Sequence, residues 1–339
     1  IFGCARDFSA QFFCTYDENQ GGASQRHGIA GRLEWKREDD IVRFLSFATV
    51  TSSRYRENFT GYELDPRIDG TPQRGDGLEQ THDAVTVGSR ASYTRAFDLL
   101  DRKHEAEVGL FFRHDNGTSR AQRLRTADGV PYSLDFENDF GITNAALYGS
   151  ARFSPVSWLV LRGGLRVDTF VFAVKDLDEP EVDRSGTRLP SANREAFGFS
   201  FQPRGSVTFV FAPWIWWATS VGLGSRSSDA QALSDGESAP FARVISAESG
   251  VTLREATQAL QVETRVVGFA TRVTNDLVFD ERAGRNTSVG VSNRFGASVW
   301  GRLTHAISGL DMAASLTYAD AYLPPENAGP FDLGAGLRL

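Results

Sequence analysis

Ser157–Phe172 reads SWLVLRGGLRVDTFVF, and its residues separate by parity. Leu159, Leu161, Leu165, Val167 and Val171 share one set of positions; Arg162, Gly164, Arg166 and Asp168 share the other. Successive side chains of a strand point to opposite faces, so the segment is a β-strand with one apolar and one charged face. A soluble sandwich would bury the first face and wet the second; a membrane barrel would turn the first to lipid and the second to its lumen. One strand does not choose between them.

The parity recurs along the chain. In GSVTFVF, Val207, Phe209 and Phe211 stand against Ser206 and Thr208, and in ATSVGLG, Val221 and Leu223 stand against Ser220 and small glycines. HEAEVGLFFRHD behaves alike, and in RNTSVGVSNRFGASVWGRL the residues Val289, Val291, Phe295, Ala297 and Val299 are set against Ser288, Asn293, Arg294 and glycines. These segments exceed the roughly five or six residues of an ordinary globular strand. Composition agrees: 33 Gly and 25 Phe against one Met is an all-β mixture. No run of apolar residues is long enough for a membrane helix, which says nothing of a barrel whose strands need only about ten alternating residues.

The connections alternate in length. Short ones fall near Arg37–Asp40, Asp98–Arg102, Ser154–Pro155, Ala212–Pro213, Arg254–Thr257 and His305–Gly309. Long polar ones fall near Asp17–His27, Ser52–Thr81, Asp115–Asn138, Lys175–Arg194, Ser225–Pro240, Asp280–Arg285 and Asp320–Pro330. Short turns at one end and long loops at the other are the outer-membrane pattern, and the segments between them number about fourteen. The expected fold is all-β, an antiparallel transmembrane β-barrel. An even count puts both chain ends on the short-turn side. The two proline turns are each followed by tryptophan: Trp158 after one, and Trp214, Trp216 and Trp217 after the other. Amphipathic rings favour the headgroup level, so these four are expected to mark the periplasmic membrane interface, the competing reading being an aromatic cluster in a soluble sheet.

Several of these stretches, taken together, resemble the barrel domain of TonB-dependent outer-membrane receptors. Leu147–Phe170 contains GLRVD, Gln202–Ser227 contains PRGS and ends near GLGSR, and Arg243–Arg254 contains ESG, where the family shows GLRxD, PRxS, GxGxR and E.G in that order. Arg285–Leu303 and Leu310–Pro325 are similar to later family strands, with Asn293 and Ser298 where the pattern has Gly and Glu. The resemblance implies a barrel of about twenty-two strands filled by an N-terminal plug. It also implies uptake of a scarce ligand of the siderophore, vitamin or oligosaccharide class, driven from the inner membrane through that plug. Residues 1–339 then read as a barrel fragment, without the plug; the opening IFGCARDFSAQFF resembles a plug's end, and the closing FDLGAGLRL lacks the usual final aromatic. Such a fragment is expected to leave the strand near Phe8–Tyr16 unpaired with the strand near Phe331–Leu339.

The chemistry sought elsewhere is sparse. No GxSxG, HExxH, P-loop or Cys/His metal spacing occurs, so no enzyme, cofactor or metal centre is expected. GLGSR lacks the lysine and helix of a phosphate loop and reads as a strand end, and the acidic run Lys175–Asp183 reads as a solvated loop rather than a cation site. Net charge is −7, which leaves no basic field for nucleic acid. Cys4 and Cys14 are read as free thiols, or as a disulfide if the compartment is oxidising. Arg162, Arg166, Arg204, Arg265 and Arg294 lie in strands, most with lumen parity, as candidates for an anionic ligand, for plug carboxylates or for a hydrated wall. The expected partners are outer-membrane lipid, a small-molecule ligand and the inner-membrane coupling complex. Two other readings stay open: a complete fourteen-strand passive outer-membrane channel or lipid-substrate transporter, and a soluble β-rich protein.

Overall fold

The computed structural model describes residues 19–58, 75–126, 128–178, 193–226, 242–280 and 285–322. They form twelve strands: β1 (Gly21–Arg37), β2 (Asp40–Glu57), β3 (Gly77–Leu99), β4 (Arg102–Leu124), β5 (Pro131–Val156), β6 (Leu159–Asp176), β7 (Asn193–Ala212), β8 (Ile215–Arg226), β9 (Ala242–Ala256), β10 (Leu260–Asp280), β11 (Arg285–His305) and β12 (Leu310–Tyr322). Each pairs antiparallel with its sequence neighbours in one twelve-stranded meander. Among the described residues β1 pairs only with β2 and β12 only with β11, so the sheet is not closed. The twelve match the inner twelve of the fourteen segments read from sequence. The outer two, with Cys4 and Cys14, lie outside the described residues.

The sheet is curved. Leu45 and Phe47 of β2 line the same cavity of about 650 Å³ as Val244 and Ser246 of β9, although seven strand spacings amount to roughly 34 Å in a flat sheet. Leu161, Leu165, Val167 and Val171 lie on the convex face, and Arg162, Gly164, Arg166 and Asp168 on the concave one, as their register with β5 and β7 requires. The convex face is the apolar one throughout: Ile29, Phe44, Leu110, Leu147, Phe199, Val266 and Leu316 are all exposed on it. Asn293 is a correction, since its register with Arg272 and Tyr322 puts it on the convex side with Phe295. The sheet has no core between layers; the described buried cluster of Phe172, Val174 and Ala196, flanked by Phe140 and Ile142, sits on the concave face toward the long loops.

The short connections fall where sequence placed them, within a few residues, but two long ones do not. Asp17–His27 was expected as loop, yet β1 begins at Gly21. Asp115–Asn138 was expected as a long loop, yet β4 and β5 continue through it to a tight connection at Arg125–Val130. What holds this extension is polar: Thr118 donates to Asp139 at 2.6 Å, Arg123 to Asp135 at 2.7 Å, and Arg120 approaches Glu137 at 3.8 Å. A strand that rises beyond its apolar band loses the alternation that betrays a strand, and cross-strand charge pairs replace it.

At the short-turn end, the β3–β4 hairpin holds Leu100 at φ 57° and Asp101 at φ 54°, the pair of positive values that a two-residue turn of this hand needs. His104 ties this hairpin to the next: Nε2 donates to the Leu99 carbonyl at 2.7 Å, Nδ1 accepts from the Ser154 amide at 3.1 Å, and the ring stacks on Phe153 at 4.5 Å. Leucine pays about 1–2 kcal/mol in the left-handed region, so Leu100→Asn is expected to stabilise the fold by about 0.5–1 kcal/mol. An unchanged guanidinium midpoint would contradict that.

Candidate functional site on the concave wall

The polar residues of the sequence motifs converge on the concave face because strand parity and register carry them there. One row runs straight across the sheet: Glu105 of β4, Arg152 of β5, Arg162 of β6, Ser206 of β7, Ser220 of β8 and Glu248 of β9 are successive register partners. The next row, one step toward the long loops, is Glu107, Ser150, Gly164, Arg204, Gly222 and Ser246. All of these but Gly164 line a cavity of about 640 Å³ toward the short-turn end. Charged side chains stand over a floor of serine and glycine, so the wall is both charged and roomy. Gly164 makes room for the Arg204 stem: a Cβ there would lie 3.0 Å from Arg204 Nε.

The arginines of the concave face divide into two kinds. Arg166 pairs with Asp168 through two bonds of 2.7 Å and lies 4.8 Å over the Phe111 ring. Asp168 is buried and also accepts from Asn144 at 3.0 Å and Gln202 at 3.1 Å. The GLRVD stretch is therefore an i, i+2 ion pair on one face, its acceptor capacity taken up by neighbouring strands. Arg294 is likewise committed, at 2.7 Å from the buried Asp276, which also accepts from Ser292 at 2.5 Å. Arg90 donates to Tyr148 Oη at 2.7 Å and to Glu107 at 3.0 Å. Arg152, Arg162, Arg204 and Arg265, by contrast, form no ion pair or side-chain hydrogen bond with any described residue, and neither do Glu105 and Glu248. Uncompensated charge gathered on one wall is what a second charged surface would meet.

Of the five arginines singled out from sequence, the structure brings Arg162 and Arg204 to this cavity, sets Arg265 in a neighbouring one beside Arg162, and gives Arg166 and Arg294 to internal pairs. Glu105, Glu107 and Arg152 were not read from sequence, and Glu248 was read only as part of ESG. The usable signal was register, because Glu105 and Arg152 lie on the row of Arg162 once the hairpins are aligned.

Trp158 sits in the β5–β6 turn and stacks on Phe209 at 6.0 Å, and Trp217 stacks on the same ring at 5.4 Å while donating to Ser249 at 2.9 Å. Trp214 is exposed in the β7–β8 turn. Trp216 faces the concave side, lining a cavity of about 480 Å³ with Arg162, Glu263 and Arg265. Trp35, not singled out from sequence, is exposed on the convex face at the same end.

No family model matches the chain, and no curated protein matches it. Solved structures do. The siderophore receptor PiuA from Acinetobacter baumannii is 15% identical with a TM-score of 0.69, covering 95% of this chain and 50% of that one. The copper transporter OprC is 16% identical with a TM-score of 0.64, covering 90% and 47%. The ferric citrate transporter FecA in its unliganded form is 13% identical with a TM-score of 0.63, covering 88% and 43%. The chain spans about half the length of these proteins. At such identities the likeness is one of fold, and it agrees with the order of GLRVD, PRGS and ESG along the strands: the chain has the barrel fold of the TonB-dependent receptors.

Proposed function

We propose that the chain is wall of an outer-membrane barrel that takes up a scarce small ligand, with an N-terminal plug seated against its concave face and energy delivered from the inner membrane through that plug. The observation that carries this reading is the division of the two faces. The convex one is apolar across the twelve strands, and the concave one holds arginines and glutamates with no partner among the described residues. Lipid suits the first, and a charged protein segment the second. Trp158, Trp214 and Trp217 then sit at the periplasmic headgroup level, with Trp35 beside them. The strand ends that lead to the long connections then lie on the outer side, where ligand arrives. Among the described residues β1 and β12 have no outer partner, which favours a wall of more than twelve strands over a closed twelve-stranded channel. That the similar proteins are named for siderophores, copper and ferric citrate supports a chelated-metal cargo without choosing among them.

The test is conductance of the complete protein in planar bilayers. Reversing Arg152, Arg162 and Arg204 to Glu together should unseat a plug held by them and raise single-channel current at least tenfold over the wild type, while the heat-modifiable gel shift of a folded barrel persists. Equal currents in the two proteins would remove the concave arginines from plug seating.

A further inference from the structure

The convex face carries a second feature that the uptake reading does not use. On β9 its apolar positions, Leu253, Val251, Ser249, Ala247 and Ile245, end at Arg243; on β10, Val262, Thr264, Val266, Gly268 and Ala270 end at Arg272. Each column is close to the roughly 9–11 residues a tilted membrane strand needs, so both arginines stand at the upper edge of the apolar band, on the long-loop side. Thr274, the register partner of Arg243, follows Arg272 by two positions on the same face. The two arginines are thus diagonal neighbours, at a spacing of roughly 7–8 Å for such pairs, near enough for both to reach one anion. Both are exposed, and neither makes a side-chain bond or ion pair with a described residue.

The same edge elsewhere on the sheet is of mixed charge. Lys175 on β6 faces Asp139 of β5 in register, Glu195 stands above Phe197 on β7, and Asp83 stands above Val85 on β3. Around Arg243 and Arg272 the convex register partners are Ser225, Thr274, Ile245 and Asn293, none of them charged; Asp320 is two strands from Arg272, on β12. This is the place on the described edge where two bases adjoin with no acid between them.

We infer that Arg243 and Arg272 form an outward-facing site for the phosphate of a phosphorylated lipid headgroup in the outer leaflet. The inference rests on the proposed outer-membrane reading, since that alone puts a headgroup at this height. A guanidinium matches a phosphate bidentately, and its apolar stem lies along the acyl boundary while its head meets the headgroup layer. Asn293 and the apolar Ile245 beside Arg272 supply a further donor and a surface for the first acyl carbons.

The test inserts the complete protein into phosphatidylethanolamine vesicles containing bisphosphorylated lipid A, extracts it in mild detergent and counts retained lipid A by native mass spectrometry. Wild type should keep lipid A, and R243Q/R272Q should keep at least tenfold less, while R54Q, altering a convex arginine on β2, should match the wild type. Dephosphorylated lipid A should be retained no better by the wild type than by the double variant, and millimolar inorganic phosphate should not displace the bound lipid. Equal retention of lipid A by wild type and double variant would overturn the site, as would a wild type that keeps the dephosphorylated lipid as well as the phosphorylated one. Displacement by inorganic phosphate would reassign it to free anions. If neither protein inserts into vesicles, the barrel reading fails instead; insertion of both with equal retention fails the site alone.

Discussion

Phe201→Arg is expected to destabilise the folded protein by about 2–4 kcal/mol, the cost of a cation facing hydrocarbon near the middle of a membrane strand. Phe201 lies between Phe199 and Pro203 on the convex side of β7 and is 55% exposed. In water that exposure would make arginine harmless, which is what gives the substitution its force. Arg162→Ser, on the concave face with no partner among the described strands to lose, should change the stability of the barrel wall by no more than about 0.5 kcal/mol. Guanidinium titrations of both variants in lipid vesicles measure the difference. Similar midpoints for the two would mean that both faces meet water.

Asp168→Ala comes next, at about 2–3 kcal/mol. The carboxylate is buried and satisfies Arg166, Asn144 and Gln202, so removing it leaves Arg166 without its ion-pair partner and takes one acceptor from each amide, Asn144 keeping the Thr169 carbonyl and Gln202 the hydroxyls of Ser200 and Ser225. Breaking a fully buried pair costs about 3–5 kcal/mol; the Arg166 side chain is 34% exposed, and water recovers part of that loss. Arg204→Ser, which breaks no described bond, is the control and should be near neutral. If Asp168→Ala were equally mild, the network across β5, β6 and β7 would contribute little, and Arg166 would return as a candidate for ligand contact.

These two substitutions also show what was legible in the chain. The period of two settled which side of each strand is apolar, because successive side chains take opposite faces and, on the proposed reading, lipid and lumen make opposite demands of them. Phe201 and Arg162 were thus assignable from sequence. The proline turns and their tryptophans located the short-turn end for the same reason, although Trp216 faces Arg162 rather than the convex belt on which Trp217 lies. Above the apolar band the rule lapses. Asp115–Asn138 pairs strand to strand through Thr118, Arg123 and Arg120, and polar residues on both faces leave no alternation to read. The site was harder still. Parity says that an arginine points inward; whether it is free depends on what stands opposite in the neighbouring strand, and that requires register. Arg166 and Arg204 look alike in sequence, yet one faces an aspartate two residues on and the other stands over glycine.

The most direct measurement is a nitroxide scan of β7 in native outer membranes, with Cys4 and Cys14 replaced by Ser so that each label stands alone. Labels at positions 197, 199 and 201 should collide with dissolved oxygen, and those at 198, 200 and 202 with a water-soluble nickel chelate, alternating residue by residue. Equal access of the nickel chelate to both parities would contradict a wall with lipid on one side and a water-filled lumen on the other.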